Sequence, residues 1–322
     1  MRKSLVIARK ELRDLSRDPV ILALLGFLAT ASLLSLAVAS NDMKIQIAEY
    51  NSYVSQLAMS GVTNPPPVVE FFPLQLMRGG VEYLEILGAL FALLSGYGVI
   101  AKEKSRGTLD LILTRPLGAA AYASGKIIGL SVFWCVIVIA LNLATVIELM
   151  VIGGAQLDAL DVTKIALAAV FSWINLMIWA TVGVAMTSYF GRPQTALVLS
   201  IALWLMIVLI IPQIGDTMDP DNQVPGGLFA ALSIVKADEL QVLAQFATYD
   251  TIRNGLEVSS VSKLFERITF ALLGIKDKYN LQSIALIWAD MWGYACALSS
   301  VLAVTISLSL SAHIRNTSPR RK

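Results

Sequence analysis

The chain has 322 residues, of which 56% are hydrophobic and only 15% are charged. Soluble domains carry about 45–50% apolar and about 25% charged residues, so the composition excludes a disordered chain and indicates a membrane protein. With a net charge of +2, two cysteines and a single histidine near the basic C-terminus, the chain has no disulfide scaffold, CxxC motif or ordinary histidine-based metal or triad site.

The first 18 residues predict an amphipathic helix. Leu5, Ala8, Leu12 and Leu15 recur at helical spacing, with basic residues around the rest of the helix. A basic amphipathic helix before a first span typically lies in the plane of the inner headgroups. Pro19 then predicts the bend into the membrane.

Six charge-poor apolar runs follow, each close to the roughly 20 residues that cross a hydrocarbon core. They lack the alternation of barrel strands. The first run is too long for the apolar region of a cleaved signal peptide, the alternative reading of this segment. The sequence therefore predicts an all-α polytopic membrane protein with a single transmembrane domain. The predicted spans are residues 19–41, 84–101, 127–151, 165–190, 193–214 and 288–313.

Lysine and arginine collect on one side of the predicted membrane. With the N-terminus inside, the inside segments hold 16 basic and 5 acidic residues, against 9 basic and 18 acidic residues outside. Because cytoplasmic loops carry an excess of Lys and Arg, both termini are expected inside the cell (plasma or inner) membrane. The basic C-terminal residues 315–322 are interpreted as an anchor to anionic lipid, and no nucleic-acid partner is expected.

The two longer outside segments are residues 42–83 and 215–287. The first carries a weak helical pattern over 43–59, and the second predicts helices at about 236–256 and 260–275. The second segment is too long to be a simple turn. It is either a small helical cap over the spans or a docking surface or gate for an extracytoplasmic partner.

Isolated polar groups and cysteines within the spans are only weak evidence for a transport path. Glu148 and Asp290 lie near span ends, so we interpret them as interfacial residues rather than proton relays, although either could line a path. Cys135 and Cys296 are expected to be buried, inert thiols, with a path-lining role as the alternative. The Gly125-x-x-x-Gly129 motif permits close helix packing.

The loop between the second and third spans, residues 102–126, is the most informative part of the chain. Gly107 predicts a break after the charged end of the second span, and Arg115-Pro116 ends the short apolar stretch that follows. Leu109, Ile112 and Leu113 fall on one side of that stretch at helical spacing. A short amphipathic helix of this kind fits a groove of another protein, or alternatively lies on lipid.

This loop resembles that of the permease subunits of type-2 ABC exporters and is most similar to the NosY-like branch. The stretch Ile7 to Leu12 is also similar to the N-terminal connecting helix of that family, and six spans with both termini inside is the family's topology. The matching loop residues are Glu103, Gly107, Thr108, Leu109, Leu111, Leu113, Thr114, Pro116, Leu117, Gly125 and Lys126.

The resemblance implies a non-catalytic subunit that pairs with a second copy or a related permease and docks cytoplasmic ABC ATPase subunits. ATP and magnesium then bind in the partner, and this chain needs no cofactor or metal of its own. The implied coupling helix is about Arg106–Thr114, and the N-terminal brace is formed by Arg9, Glu11 and Leu12. The implied interface residues are Glu103, Arg106, Gly107, Thr108, Leu109, Ile112, Leu113, Arg115 and Pro116.

Two other functions stay open on the sequence alone. One is a membrane scaffold that transmits ATP-driven motion to an outside partner, which the long outer segments favour. The other is a secondary transporter, which usually shows mid-membrane charges and repeated halves that are not evident here. ATP hydrolysis by the chain itself is not expected, because Gly118 and Gly125-Lys126 have the wrong spacing for a P-loop and Ile127 replaces its hydroxyl residue.

Overall fold

The computed structural model describes residues 2–60, 72–107, 119–218, 228–234, 238, 241, 244 and 247–317. Within these residues the chain is helical and contains no β-strand. The first five helices are α1 (Arg2–Leu15), α2 (Pro19–Met59), α3 (Arg78–Tyr83), α4 (Ala89–Ser105) and α5 (Ala119–Val151). The later helices are α6 (Ala159–Tyr189), α7 (Pro193–Trp204), α8 (Ile211–Thr217), α9 (Leu228–Ala231), α10 (Ala247–Ser259), α11 (Val261–Leu272) and α12 (Ile284–Thr317).

The predicted number of spans is confirmed, because six helical stretches in the described residues are long and apolar enough to cross a membrane. Each predicted span lies within one of them, apart from Phe190, which directly follows α6, and His313, which directly follows the last stretch. The stretches are Pro19–Met59, Pro73–Ser105, Ala120–Val151, Ala159–Tyr189, Pro193–Thr217 and Ile284–Ala312.

The first membrane helix is much longer than its predicted span. α2 runs without interruption through 41 residues, or about 60 Å at 1.5 Å per residue, which is twice the thickness of a hydrocarbon core. No glycine or proline interrupts residues 27–60, so the helical pattern predicted for 43–59 continues the span instead of forming a separate element. Asp18 caps its start by accepting a hydrogen bond from the Val20 amide, and Pro19 occupies the first turn.

Helix α6 is the centre of the bundle and packs against α4, α5, α7, α11 and α12. It approaches α4 backbone to backbone, since a Cβ added at Gly96 would overlap the carbonyl oxygen of Ala180. On the other side of this contact, a Cβ at Gly183 would overlap the carbonyl oxygen of Leu93. Small residues allow such close approach of helices inside a bilayer, where hydrophobic burial does not drive helix association.

Three hydrogen bonds between helices fix the register of this bundle. Trp134 Nε1 donates to Ser95 Oγ over 3.0 Å and joins α5 to α4. Trp173 Nε1 donates to the Ser131 carbonyl over 3.1 Å and joins α6 to α5. The hydroxyls of Thr181 and Thr305 lie 2.9 Å apart and join α6 to α12.

The end of the bundle that carries α1, together with the start of α2 and the end of α4, is called the α1 end below. The opposite end, the α11 end, is covered by α10 and α11, and α11 buries one face against α6 and α12. Each end has its own apolar core, built around Trp134 and Trp179 at the α1 end and around Phe265 and Ile268 at the α11 end.

Two π-helical turns, Leu84–Gly88 and Leu205–Ile210, pack against α11. A π turn leaves a backbone carbonyl without its usual α-helical partner. Ser260, at the start of α11, supplies a donor, since its hydroxyl lies 2.7 Å from the Ile207 carbonyl oxygen. The pair of helices α10 and α11, called the cap below, is therefore hydrogen-bonded to the fifth span.

A second anchor of the cap is Arg267 of α11. Its guanidinium donates to Glu257 over 2.5 Å, to Asn254 over 2.7 Å and to the Tyr294 hydroxyl over 3.0 Å. Burial alone would lower the pKa of Arg267, but the Glu257 carboxylate outweighs it and the pKa is raised. This single side chain joins α10, α11 and α12.

Candidate functional site

Two glycines let α1 lie directly on α5. A Cβ at Gly125 would come within 2.8 Å of the Ser4 carbonyl oxygen, and one at Gly129 within 3.0 Å of the Ala8 carbonyl oxygen. Any side chain at either position would push the helices apart. The Gly125-x-x-x-Gly129 motif therefore serves the close packing that the sequence permitted, with α1 as the partner helix.

This packing encloses Lys126, whose side chain is only 1% exposed. Its ammonium lies 3.2 Å from a carboxylate oxygen of Glu11 on α1 and 3.0 Å from one of Glu103 at the end of α4. A third hydrogen bond, 3.0 Å long, goes to the Val99 carbonyl oxygen. One cation thus binds three helices, α1, α4 and α5.

Two further side chains complete the Lys126 cluster, which we define as Lys10, Glu11, Glu103, Tyr122 and Lys126. The Tyr122 hydroxyl donates to the Glu103 carboxylate, and its ring centroid lies 5.0 Å from the Lys126 ammonium. Lys10 lies at the rim, 3.3 Å from Glu11 and 3.5 Å from Glu103. Burial would lower the pKa of Lys10, but the neighbouring carboxylates raise it, so Lys10 stays charged.

The cluster is electrically balanced, with two ammonium groups facing two carboxylates. Buried ions of this kind add little net stability when they are complete, because desolvation offsets their attraction. Loss of one member, in contrast, leaves an uncompensated buried charge at a cost of about 3–5 kcal/mol. The cluster therefore fixes the relative positions of its helices more than it stabilises the fold.

Three consecutive residues at the end of α4 contact four other helices, α1, α2, α5 and α6. Lys102 pairs with Asp18 at the start of α2, and Glu103 belongs to the Lys126 cluster. Lys104 caps the end of α6 by donating to the carbonyl oxygens of Thr187 over 2.6 Å and Phe190 over 2.8 Å. Burial alone would raise the pKa of Asp18, but its hydrogen bond with Lys102 lowers it.

The predicted break at Gly107 is confirmed. Helix α4 ends at Ser105, and Gly107 follows with a φ of +62°, the left-handed conformation that glycine adopts after a helix end. Arg106 is exposed next to it and lines a cavity of ≈ 280 Å³. This cavity lies between α1, the start of α2 and the end of α4, and Glu11 and Glu103 form part of its wall.

The structure places the described site residues as follows. Glu11 and Glu103 are brought together in the Lys126 cluster, Leu12 is half-buried against the apolar core, and Arg9 is exposed. The other predicted interface residues lie outside the described residues, namely Thr108, Leu109, Ile112, Leu113, Arg115 and Pro116.

Sequence reasoning missed Lys10, Tyr122 and Lys104 as site residues. The available signal was the position of Lys126, a charged residue directly before an apolar run that needs a counter-ion once it is buried. Glu11 lies 115 residues away, and the spacing within either helix does not show that the two helices meet.

The predicted burial of the cysteines is wrong. Cys135 and Cys296 are both free and exposed, and Cys135 lines a groove between α5 and α6. Asp290 accepts hydrogen bonds from Lys278 over 2.7 Å and from the Tyr279 hydroxyl over 3.1 Å, so it is paired at the start of α12.

The fold and this site together define a class of protein. It is a polytopic α-helical membrane protein in which a buried cluster of charged side chains, the Lys126 cluster, connects three helices at one end. Among the described residues no group of three or more His, Cys, Asp or Glu side chains is arranged to hold a metal ion.

The family follows from comparison with known proteins. A family model described as ABC-2 family transporter protein matches residues 5–315, so the chain belongs to the ABC-2 transporter family. A search of the curated proteins gave no match. Members of this family are membrane subunits of ABC transporters and are generally non-catalytic, with the ATPase activity in a partner protein. The chain is accordingly a multi-pass protein of the cell membrane with an ABC ATPase partner.

Proposed function

We propose that the chain is the permease subunit of an ATP-driven exporter. It works as a dimer with a second copy or a related permease, and with a separate cytoplasmic ATPase that binds the ATP and magnesium. The proposal rests on the bonded residues on either side of residues 108–118. Lys102, Glu103 and Lys104 precede that segment, and Tyr122 and Lys126 follow it. The loop motif further favours the NosY-like branch of the family.

The orientation places the α1 end in the cytoplasm and the α11 end outside. Lys and Arg outnumber acidic residues 16 to 5 in the segments predicted to lie inside, which include α1 and the end of α4, whereas acidic residues predominate in the segments predicted outside. This orientation puts residues 108–118 where an ATPase subunit can reach them.

Coupling works through rigid connections on both sides of that segment. On its N-terminal side, Lys102, Glu103 and Lys104 are bonded to α2, the Lys126 cluster and α6. On its C-terminal side, Tyr122 and Lys126 belong to the same cluster. A displacement of the segment by the ATPase is therefore transmitted to α1, α2, α4, α5 and α6 together instead of being absorbed by loose loop ends.

Within the segment, Leu109, Ile112 and Leu113 provide the apolar face that enters a groove of the ATPase. Arg106 and Arg115 flank it with positive charge, and Gly107 with Pro116 marks its limits. Glu103 is buried and bonded inside the chain, so it anchors the segment rather than contacting the ATPase. Exposed Arg9 and half-buried Leu12 of α1 brace the same face.

Replacing Leu109 or Leu113 by aspartate is expected to abolish co-purification of the ATPase, because a charge cannot enter an apolar groove without a partner. The measurement is affinity purification of the tagged chain from solubilised membranes, followed by detection of the ATPase subunit. Leu111→Asp is the matched control, since at helical spacing Leu111 falls on the opposite side of the segment. Full ATPase recovery with Leu109→Asp and Leu113→Asp would refute the coupling role.

A second candidate is favoured by the length of α2 and by the α10–α11 cap. About half of α2 lies beyond its predicted span, so this continuous helix can transmit motion from the membrane to an outside partner. In this case the chain is a scaffold that transmits ATP-driven motion to that partner without moving a solute. The two functions differ in reconstituted vesicles, where only the exporter shows ATP-dependent solute movement without an outside partner.

A further inference from the structure

An apolar slot lies between α5 and α6 in the half of the bundle nearest the α11 end. Its volume is ≈ 580 Å³, and no charged side chain lines it. Asn142 is the one amide in its wall, and it donates to the Val138 carbonyl of its own helix over 2.9 Å. The slot is therefore built for an apolar occupant.

The length of the slot matches one leaflet of a bilayer. α5 lines it from Cys135 to Val146, and α6 lines it from Val162 to Trp173. Each stretch covers 11 residue steps, or about 16 Å at 1.5 Å per residue, close to half of a roughly 30 Å hydrocarbon core. The hydrogen bond from Trp173 to Ser131 joins the two helices near the mid-membrane end of the slot.

The length of the slot favours a lipid chain over a second helix. A membrane helix crosses both leaflets, whereas the slot ends near mid-membrane, where Trp173 is bonded to Ser131. One acyl chain is the membrane component of matching shape. The rim is made of apolar side chains open to the bilayer, including Leu143 at 58% and Val170 at 50% exposure.

We propose that this slot is a binding site for one acyl chain of a phospholipid from the leaflet at the α11 end. The chain is retained because both walls contact it along its length, and an empty slot would lose those dispersion contacts. The site lies away from the Lys126 cluster and does not depend on the direction of transport.

Native mass spectrometry of the full chain, purified in mild detergent, tests the proposal. The expected spectrum shows one retained molecule per chain with the mass of a host phospholipid. Ala166→Phe places a ring in the slot at an exposed position, so it does not displace the core, and the lipid-bound peak should fall several-fold. Val136→Phe is the matched control, since Val136 is 56% exposed outside the slot, and it should retain the lipid.

A modification made after folding provides a second, independent test. In a Cys296→Ser chain, Cys135 is the only thiol and lines the slot, so an alkyl methanethiosulfonate attached there fills it without affecting folding. The lipid-bound peak should fall as with Ala166→Phe. Lipid retention that is unchanged in both cases overturns the proposal. A retained mass that belongs to no phospholipid, or ready Cys135–Cys135 cross-linking between two copies, overturns it as well.

Discussion

Replacing Lys126 by methionine is expected to destabilise the chain by about 3–5 kcal/mol and to release α1 from α5. Methionine fills a similar volume, but the two buried carboxylates of Glu11 and Glu103 then keep only the rim ammonium of Lys10, which is 56% exposed, as a nearby cation. The measurement is the midpoint of thermal unfolding of the purified chain in detergent, followed by protease accessibility of α1.

Lys102→Met is the matched control for that change. It also removes an ammonium group from an ion pair at the α1 end, but the Lys102 side chain is 49% exposed. Exposed pairs contribute about 0–1 kcal/mol, so this variant should unfold close to the wild type. Adding Glu103→Gln to Lys126→Met should recover part of the stability, since Lys10 then faces one buried carboxylate of the cluster instead of two. Equal midpoints for Lys126→Met and Lys102→Met would show that the cluster does not hold the helices together.

Gly96→Ala is expected to have the second large effect. The new methyl group would overlap the Ala180 carbonyl oxygen, a backbone atom that cannot rotate away, so α4 and α6 must separate. Overpacking of this kind costs about 1–3 kcal/mol. That cost outweighs the gain of up to about 1 kcal/mol that alanine brings to a helix over glycine. The readout is again the unfolding midpoint in detergent.

Gly98→Ala supplies the control on the same helix. No atom lies within 4 Å of a Cβ built at Gly98, so the change introduces alanine without a clash. Its unfolding midpoint should equal or slightly exceed that of the wild type. A decrease as large as that of Gly96→Ala would mean that the α4–α6 distance is not set by the glycine contact.

Local features of this fold were predictable because they depend on neighbouring residues. Apolar run lengths predict the six spans, and Gly107 predicts the end of the second membrane helix. The sequence also indicates the uninterrupted length of α2, since residues 27–60 contain no glycine or proline.

Features that depend on contacts between distant helices were not predictable. Lys126 precedes an apolar run and looks like an interfacial residue, yet it is buried because Gly125 and Gly129 bring α1 against it. Cys135 and Cys296 lie in apolar runs, and their exposure depends on which side of each helix is covered by neighbouring helices. In a membrane chain apolar residues cover both the lipid side and the inner side, so helical spacing alone does not distinguish the two.

As a permease subunit, this chain is expected to transmit the energy of ATP hydrolysis without hydrolysing ATP itself. The decisive measurement is ATP hydrolysis in the presence of magnesium, in vesicles, for the purified chain and for its complex with the co-purified ATPase. We expect hydrolysis by the complex and only background activity for the chain alone. Robust hydrolysis by the chain alone would contradict it.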